Sequence, residues 1–326
     1  ILARGRLIVQ ISAQTSGTAA NLPFLATKRG ADEALAASGL PHVIFRPALV
    51  IGRNAHGGTA LIRALAGLPR VVPLAHAESP VRVVSVNDVA SAVSRAVSGH
   101  IAPGSDLHLA ADETVTLKDL VALHRQWLGL PPAKFLSLSP AIAKPVSMMA
   151  DLAGYLGWRS PLRSTAMAVM SEGVSTQAQT NTLSVATAAE TLTRHPSAVH
   201  DLWFARLYLL KPIVILCLSL FWLLSGLVPL ANLEGAASHF LTLLPPSAAT
   251  ALTLATCVLD IGLGLAVLIK RFSRRAMQGM LLLTAFYLLG ATVLEPSLWL
   301  DPLGPLVKVL PSIVLTLTAL ATLEER

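Results

Sequence analysis

The sequence predicts a parallel α/β sheet unit followed by an all-α, four-helix transmembrane bundle. Three observations carry this prediction. Short β-branched runs alternate with helical segments over residues 1–130, four long apolar runs follow residue 206, and charged residues make up only 13% of the chain against 53% hydrophobic. Soluble domains average about 25% charged residues. With a mean hydropathy of +0.63, the composition excludes a purely soluble enzyme and a disordered chain.

Leu7–Ile11 is a β-branched run of the kind buried in parallel sheets. Thr27–Ser38 reads as a helix: Lys28, Arg29, Asp32 and Glu33 are polar, Ala31, Ala34 and Leu35 are small or apolar, and Gly39 closes it. His42–Ile51 is a second strand, broken by Pro47 and closed by Gly52, and a helix follows over Thr59–Leu68. Val81–Val86 is a third strand, leading through Asn87-Asp88 as N-cap into a helix over Val89–Val97. Asp106–Ala110 is a short strand, and Thr116 caps a helix over Leu117–Leu128. Strands alternating with helices specify a parallel α/β sheet. Residues 131–205 are punctuated by Pro131, Pro132, Pro140, Pro145 and Pro161 into short helical pieces. A polar loop over Ser175–Ser184 and a short helix over Leu183–Leu192 complete this stretch.

Residues 206–326 form the membrane part, with spans at 207–230, 247–269, 276–294 and 303–323. Each suffices to cross a hydrocarbon core of about 30 Å at 1.5 Å per residue. Lys270, Arg271, Arg274 and Arg275 lie between the second and third spans, whereas 231–246 and 295–302 contain no Lys or Arg. The positive-inside rule puts 270–275 in the cytoplasm, and with it residues 1–206 and the C-terminus. The expected location is therefore the bacterial inner (plasma) membrane, as a multi-pass protein in contact with the lipid bilayer. The net charge of +7 is scattered, with 18 Lys and Arg against 12 Asp and Glu in residues 1–206, so no nucleic-acid stripe is expected. Cys217 and Cys257 lie in apolar runs, and the nine histidines lack metal-ligand spacing, so no metal site is expected. No Gly-x-Ser-x-Gly elbow supports hydrolase chemistry. The chain opens on Ile1, which reads as a truncation point.

Ser12 follows the first strand, and Phe24-Leu25-Ala26-Thr27-Lys28 comes twelve residues later. The next strand then runs through Phe45-Arg46-Pro47 to Gly52. This arrangement resembles the extended and atypical members of the short-chain dehydrogenase/reductase superfamily, over about residues 5–195. The resemblance implies a Rossmann-like NAD(P)-binding domain, of which residues 1–130 are the distal part. It implies cofactor-binding roles for Ser12, Lys28, Arg46 and Pro47, and catalytic roles for Ser12 and Lys28. In that superfamily a tyrosine stands four residues before the lysine, which lowers the phenol's pKa and binds the cofactor ribose. Here Phe24 occupies the tyrosine position and offers no hydroxyl, and no tyrosine precedes Tyr155. Val84–Ala90 is similar to the superfamily's strand-to-helix segment, and Leu117–Leu130, with Arg125–Leu130, resembles the branch near the complex-I-associated, dehydrogenase-like accessory subunit, whose members often lack the full catalytic set and hold NADP(H) as a structural ligand. A glycine-rich turn does not precede Leu7. Gly52-x-x-x-x-Gly57-Gly58-Thr59 has phosphate-loop spacing but places Gly58 where the lysine belongs.

Ser219–Leu227, Leu259–Gly264 and Pro296–Lys308, with its Asp-Pro-x-Gly-Pro-x-x-Lys core, resemble the DoxX-like four-helix membrane family. Asp260 sits mid-span, where an ionised carboxylate costs roughly 2.5–3.5 kcal/mol. It is expected to face the bundle interior, with Lys308 or Lys211 as partner and with Gly262 and Gly264 allowing close helix approach. Asp260 and Lys308 are the membrane candidates for a proton- or quinone-handling site, against a purely structural helix-to-helix bond. Trp222 and Trp299 are expected as interfacial anchors. Together the resemblances imply a membrane-anchored protein carrying NAD or NADP. One expectation is an oxidoreductase or epimerase/dehydratase-like enzyme linked to quinone or a membrane complex. The alternative is an inactive, cofactor-bound scaffold or assembly factor.

Overall fold

The computed structural model describes residues 7–14, 21–174, 184–241, 243–302 and 304–324. The polar loop expected over Ser175–Ser184 lies outside them except for its last residue. In chain order the elements are β1 (Ile8–Ile11), α1 (Pro23–Ala37), β2 (His42–Pro47), β3 (Leu49–Ile51), α2 (Gly58–Ala66) and β4 (Val71–Leu74). They continue with β5 (Pro80–Val81), β6 (Val83–Ser85), α3 (Val86–Val97), β7 (Ser105–Leu109), β8 (Val115–Thr116), α4 (Leu117–Trp127) and β9 (Lys134–Ser137). Eight helices follow: α5 (Pro140–Tyr155), α6 (Ser164–Glu172), α7 (Ala188–Arg194), α8 (Val199–Ala231), α9 (Leu233–Ser238), α10 (Pro246–Ala266), α11 (Lys270–Leu294) and α12 (Leu310–Ala321). The chain divides into two compact units, one of residues 1–152 and 160–206, the other of 153–159 and 207–326.

In the first unit, β1, β2 and β7 form a parallel sheet in that order. The crossover through α1 is what a parallel pair requires. β3 pairs with β6 and β4 with β9, both parallel, and the short β5–β8 pair is antiparallel. Helix α1 begins at Pro23, four residues before the expected start, because proline at the first turn forfeits no hydrogen bond. Pro47 ends the β2 ladder, and the chain resumes as β3 in a different pairing, so one expected strand is two. The cap of α3 is Ser85, not Asn87-Asp88. The Ser85 hydroxyl accepts from the Asp88 backbone N–H, and Asp88 occupies the first turn. Thr116 caps α4 as expected, in a reciprocal capping box with Asp119. Phe45, Val43, Val84 and Leu109 are fully buried on one side of the unit, and Val72, Val81, Leu120 and Val121 on the other. Each such side chain contributes about 1.5–3 kcal/mol.

Two arginines lie inside this unit. Arg63 on α2 is 4% exposed and ion-pairs with Asp201 at 3.0 Å. It also donates to the Gly52 and Arg53 carbonyls and stacks 4.7 Å from the Trp127 ring. Arg125 donates to the Ala66, Leu68, Pro69 and Pro131 carbonyls, satisfying the end of α2. His124 donates from Nδ1 to the Leu120 carbonyl, and its burial lowers its pKa to about 4.

In the second unit, α8, α10 and α11 are long and apolar enough to cross a membrane. The fourth expected span, 303–323, is shorter. Gly304 takes φ +57°, a single 3₁₀ turn covers Val307–Val309, and α12 has 12 residues. Twelve residues rise about 18 Å, well under the 30 Å core. The basic stretch 270–275 is helical, forming the first turns of α11 rather than a loop. Trp222 is 2% exposed in the bundle core, not an interfacial anchor. Trp299 is partly exposed and donates to Thr292.

Two outcomes are expected for the full-length protein in detergent. Arg63→Leu leaves Asp201 buried without its partner and is expected to cost the α/β unit about 3–5 kcal/mol in a denaturant titration. His124 is held neutral by burial, so its folded pKa lies below the unfolded value. Stability is therefore full above about pH 6.5 and falls progressively toward pH 4. His124→Gln should flatten that part of the stability–pH profile, and an unchanged slope would reject the assignment.

Candidate functional site

The C-terminal ends of β1 and β2 and the first turns of α1 meet at one edge of the parallel sheet. Open parallel sheets bind ligands at this edge, outside the carboxyl ends of the strands. Ser12 follows β1 and is buried, and its hydroxyl donates to Asp32 Oδ2 at 2.5 Å. Arg46 on β2 ion-pairs with the same Asp32 oxygen at 2.8 Å and donates to the Ala13 carbonyl at 3.1 Å. Its other donors form a bidentate pair with Asp106 on β7, at 2.8 and 2.9 Å. The register explains the reach. Arg46 is opposite His108, so Asp106 is its diagonal neighbour on the same face. The hydrogen bond and charge of Asp106, helped by Asp32, hold the Arg46 guanidinium above its ordinary pKa despite burial. Burial lowers the His108 pKa, and among the described residues neither His108 Nδ1 nor Asp32 Oδ1 has a hydrogen-bond partner.

Lys28 donates from Nζ to the Ile11 carbonyl, the last of β1, at 3.0 Å. An ammonium has three donors, and among the described residues one of them is used, at the strand end. Phe24, one turn earlier on α1, is 64% exposed. Pro47 is half-buried at the end of β2, opposite Leu109. The structure therefore brings Ser12, Lys28 and Arg46 together, but it commits Ser12 and Arg46 to carboxylates of the protein. Asp32 and Asp106 were missed from sequence. Asp32 is legible in hindsight as the residue one turn after Lys28 on the same helix face. Asp106 needed the strand register.

Asp260 on α10 is a separate polar cluster within the second unit. It is 3% exposed. Its carboxylate accepts from Ser225 on α8 at 2.7 Å and from Tyr287 on α11 at 2.8 Å. Hydroxyls, not lysines, are its partners. Lys211 instead donates to the Leu323 carbonyl, and Lys308 is exposed in its 3₁₀ turn. The close helix approach occurs at Gly226 and Gly264. A Cβ at Gly226 would meet the Cys257 carbonyl at 2.5 Å, and one at Gly264 would meet the Leu223 amide at 2.9 Å. Gly262 faces open space instead. A cavity of about 180 Å³ lined by Phe221, Trp222, Ser225, Thr284 and Tyr287 adjoins the cluster. Among the described residues no three His, Cys, Asp or Glu side chains are placed to hold a metal.

No curated protein matches the chain. Several solved structures are similar to its N-terminal part. The UDP-glucuronic acid 4-epimerase of Bacillus cereus in complex with NAD is 14% identical, covering 62% of each chain, with a TM-score of 0.39. A nucleoside-diphosphate-sugar epimerase from Staphylococcus aureus is 16% identical over 57% of this chain and 64% of its own, with a TM-score of 0.42. The Bordetella bronchiseptica enzyme WbmH in complex with NAD+ is 24% identical over 41% of this chain and 50% of its own, with a TM-score of 0.34. The chain thus covers between half and under two thirds of the length of these three. Residues 219–317 match the DoxX-like family. The protein joins a parallel α/β unit to a helical unit that carries this DoxX-like segment.

Proposed function

We propose that this is a membrane-anchored, dehydrogenase-like protein that binds a nicotinamide dinucleotide at the C-terminal ends of β1 and β2. It does so without a phenol-based proton relay. The bound dinucleotide serves as a structural or regulatory ligand, and the chain acts as a scaffold rather than as a reductase of ordinary carbonyls. The observation that carries this reading is the pairing of Lys28 with Phe24 on one face of α1. Lys28 is fixed to the end of β1 with donors to spare for ribose hydroxyls, and the neighbouring turn carries a hydrocarbon ring. When bound, a nicotinamide dinucleotide supplies hydride chemistry. The chain's own residues here supply binding and orientation. Ser12 and Arg46 act by fixing the strand ends through Asp32 and Asp106, and Pro47 by ending the β2 ladder beside them.

Membrane anchoring is supported by the three helices of spanning length and by the DoxX-like match. The basic first turns of α11 favour a cytoplasmic side for residues 270–275. Residues 1–206 then face the cytoplasm of a bacterial inner membrane, and the end of α12 lies on the same side because Glu324 pairs with Arg274 and the Leu323 carbonyl accepts from Lys270.

A second reading, a redox role toward a quinone, is favoured by one feature. The Asp260–Tyr287 pair adjoins a largely apolar cavity, and once Asp260 is protonated its carboxyl O–H can donate to the Tyr287 oxygen and free the phenol O–H to donate to a quinone carbonyl.

Two measurements test the first reading. Full-length protein should bind NADP(H) or NAD(H) in a fluorescence or calorimetric titration, and Lys28→Met should weaken binding about tenfold or more, the loss of one to two charge-assisted bonds. Unaltered affinity in Lys28→Met would reject the assignment. The wild-type protein should show no turnover of simple carbonyl substrates with NAD(P)H. Phe24→Tyr, which restores the phenol one turn from Lys28, should bind dinucleotide as the wild type does. Substantial turnover by the unmodified protein would contradict the missing relay.

A further inference from the structure

We propose that a basic cleft at one end of the apolar helices of the second unit binds the phosphate-bearing headgroup of an anionic membrane lipid. The inference rests on the membrane-anchoring reading above.

The cleft has a volume of about 720 Å³, and among the described residues its lining includes Arg159, Lys270, Arg271, Arg274 and Arg275 and one carboxylate, Glu324. Its walls are built by specific contacts. The Lys270 amide at the start of α11 donates to the Leu156 carbonyl at 2.9 Å, and Trp158 Nε1 donates to the Leu268 carbonyl at 2.6 Å. Gly157 permits this seat. Its φ is +90°, and a Cβ there would lie 3.1 Å from the Lys270 Cβ.

The five cations are not equivalent. Lys270 donates to the Leu323 carbonyl past the end of α12 and lies 4.6 Å from the Trp158 ring centroid. Arg274 pairs with Glu324. Arg159, Arg271 and Arg275 are exposed, and among the described residues none has a carboxylate partner. Three uncompensated guanidiniums around one cleft form a site for a phosphate, which arginine recognises with paired N–H donors.

The position selects a lipid as the source of that phosphate. Four of the five basic residues fall within the first six positions of α11, and an apolar stretch of spanning length follows directly. Phe272, 42% exposed, and Trp158 sit at the same level. A basic collar with aromatic side chains at the end of an apolar helix matches the headgroup layer, where each Lys or Arg contributes about 1 kcal/mol toward anionic lipid.

The test is native mass spectrometry of the full-length protein in mild detergent after equal exposure to phosphatidylglycerol and phosphatidylcholine. Phosphatidylglycerol should be retained in preference. The triple variant Arg159→Gln/Arg271→Gln/Arg275→Gln should lose about fivefold in retention for each arginine removed. The corresponding triple Lys variant, which keeps the charge, should retain most of the preference, and Lys118→Gln in the α/β unit should leave it unchanged. Equal retention of the two lipids, or a Gln variant that binds as the wild type does, would overturn the proposal. Displacement of phosphatidylglycerol by excess inorganic phosphate would also overturn it, since the cleft would then serve a soluble phosphate. Insertion into phosphatidylcholine vesicles is measured in parallel. Failure there contradicts membrane anchoring itself, whereas insertion without headgroup preference contradicts only the cleft.

Discussion

One buried carboxylate, Asp32, organises the sheet edge on which the functional reading rests. It takes a hydrogen bond from Ser12 after β1 and an ion pair from Arg46 on β2, and Arg46 in turn clamps Asp106 on β7. The residue after β1, the end of β2, the start of β7 and the body of α1 are thereby tied together. Asp32 is 3% exposed, and Ser12 and Arg46 both meet its Oδ2. Removing one partner of such a pair strands the other in a low-dielectric interior, which is costly. With Asp32 anchored, helical geometry settles the rest. Lys28 lies one turn nearer the start of α1 and reaches the end of β1, and Phe24 lies one turn further out, in solvent. The absence of a phenol is therefore a property of the same helix face that the carboxylate holds in place.

The helical unit has an analogous anchor. Asp260 joins α8, α10 and α11 by accepting one hydroxyl on each carboxylate oxygen. Close packing at Gly226 and Gly264 accompanies it, as small residues allow where helices cannot gain from a hydrophobic difference with lipid. The two anchors differ in chemistry. Asp32 is matched by a guanidinium beside an aqueous edge, whereas Asp260 is matched by neutral hydroxyls among apolar helices.

Much of this fold was legible in the sequence. The β-branched runs at Leu7–Ile11, His42–Ile51 and Val81–Val86 and the leucines of Asp106–Ala110 mark strands, although β1 stays partly exposed, with Ile8 at 36% and Ile11 at 38%. Thr116 marks a helix start because its hydroxyl caps. Other features were not legible for equally physical reasons. β4 and β9 are short and pair across 60 residues of chain, with a proline inside β4, so neither carries a local signal. α5 contains Pro145, which sequence reasoning takes for a break. At the candidate site, Ser12, Lys28 and Arg46 came from the resemblance to the short-chain dehydrogenase/reductase pattern, which did not reveal their internal partners. Asp106 depends on strand register, and the burial of Arg63 against Asp201 depends on packing between positions 138 residues apart. The polarity of Asp260 announced a partner, and only the three-dimensional arrangement shows that Ser225 and Tyr287 fill that role.

The central claim is that the strand ends held by Asp32 form a dinucleotide-binding edge. Amide hydrogen exchange of the full-length protein, with and without NAD(P)H, tests it most directly. The account predicts added protection confined to the residues after β1, the end of β2 and the first two turns of α1. Unchanged exchange across that edge at saturating dinucleotide, or protection arising only elsewhere in the chain, would contradict it.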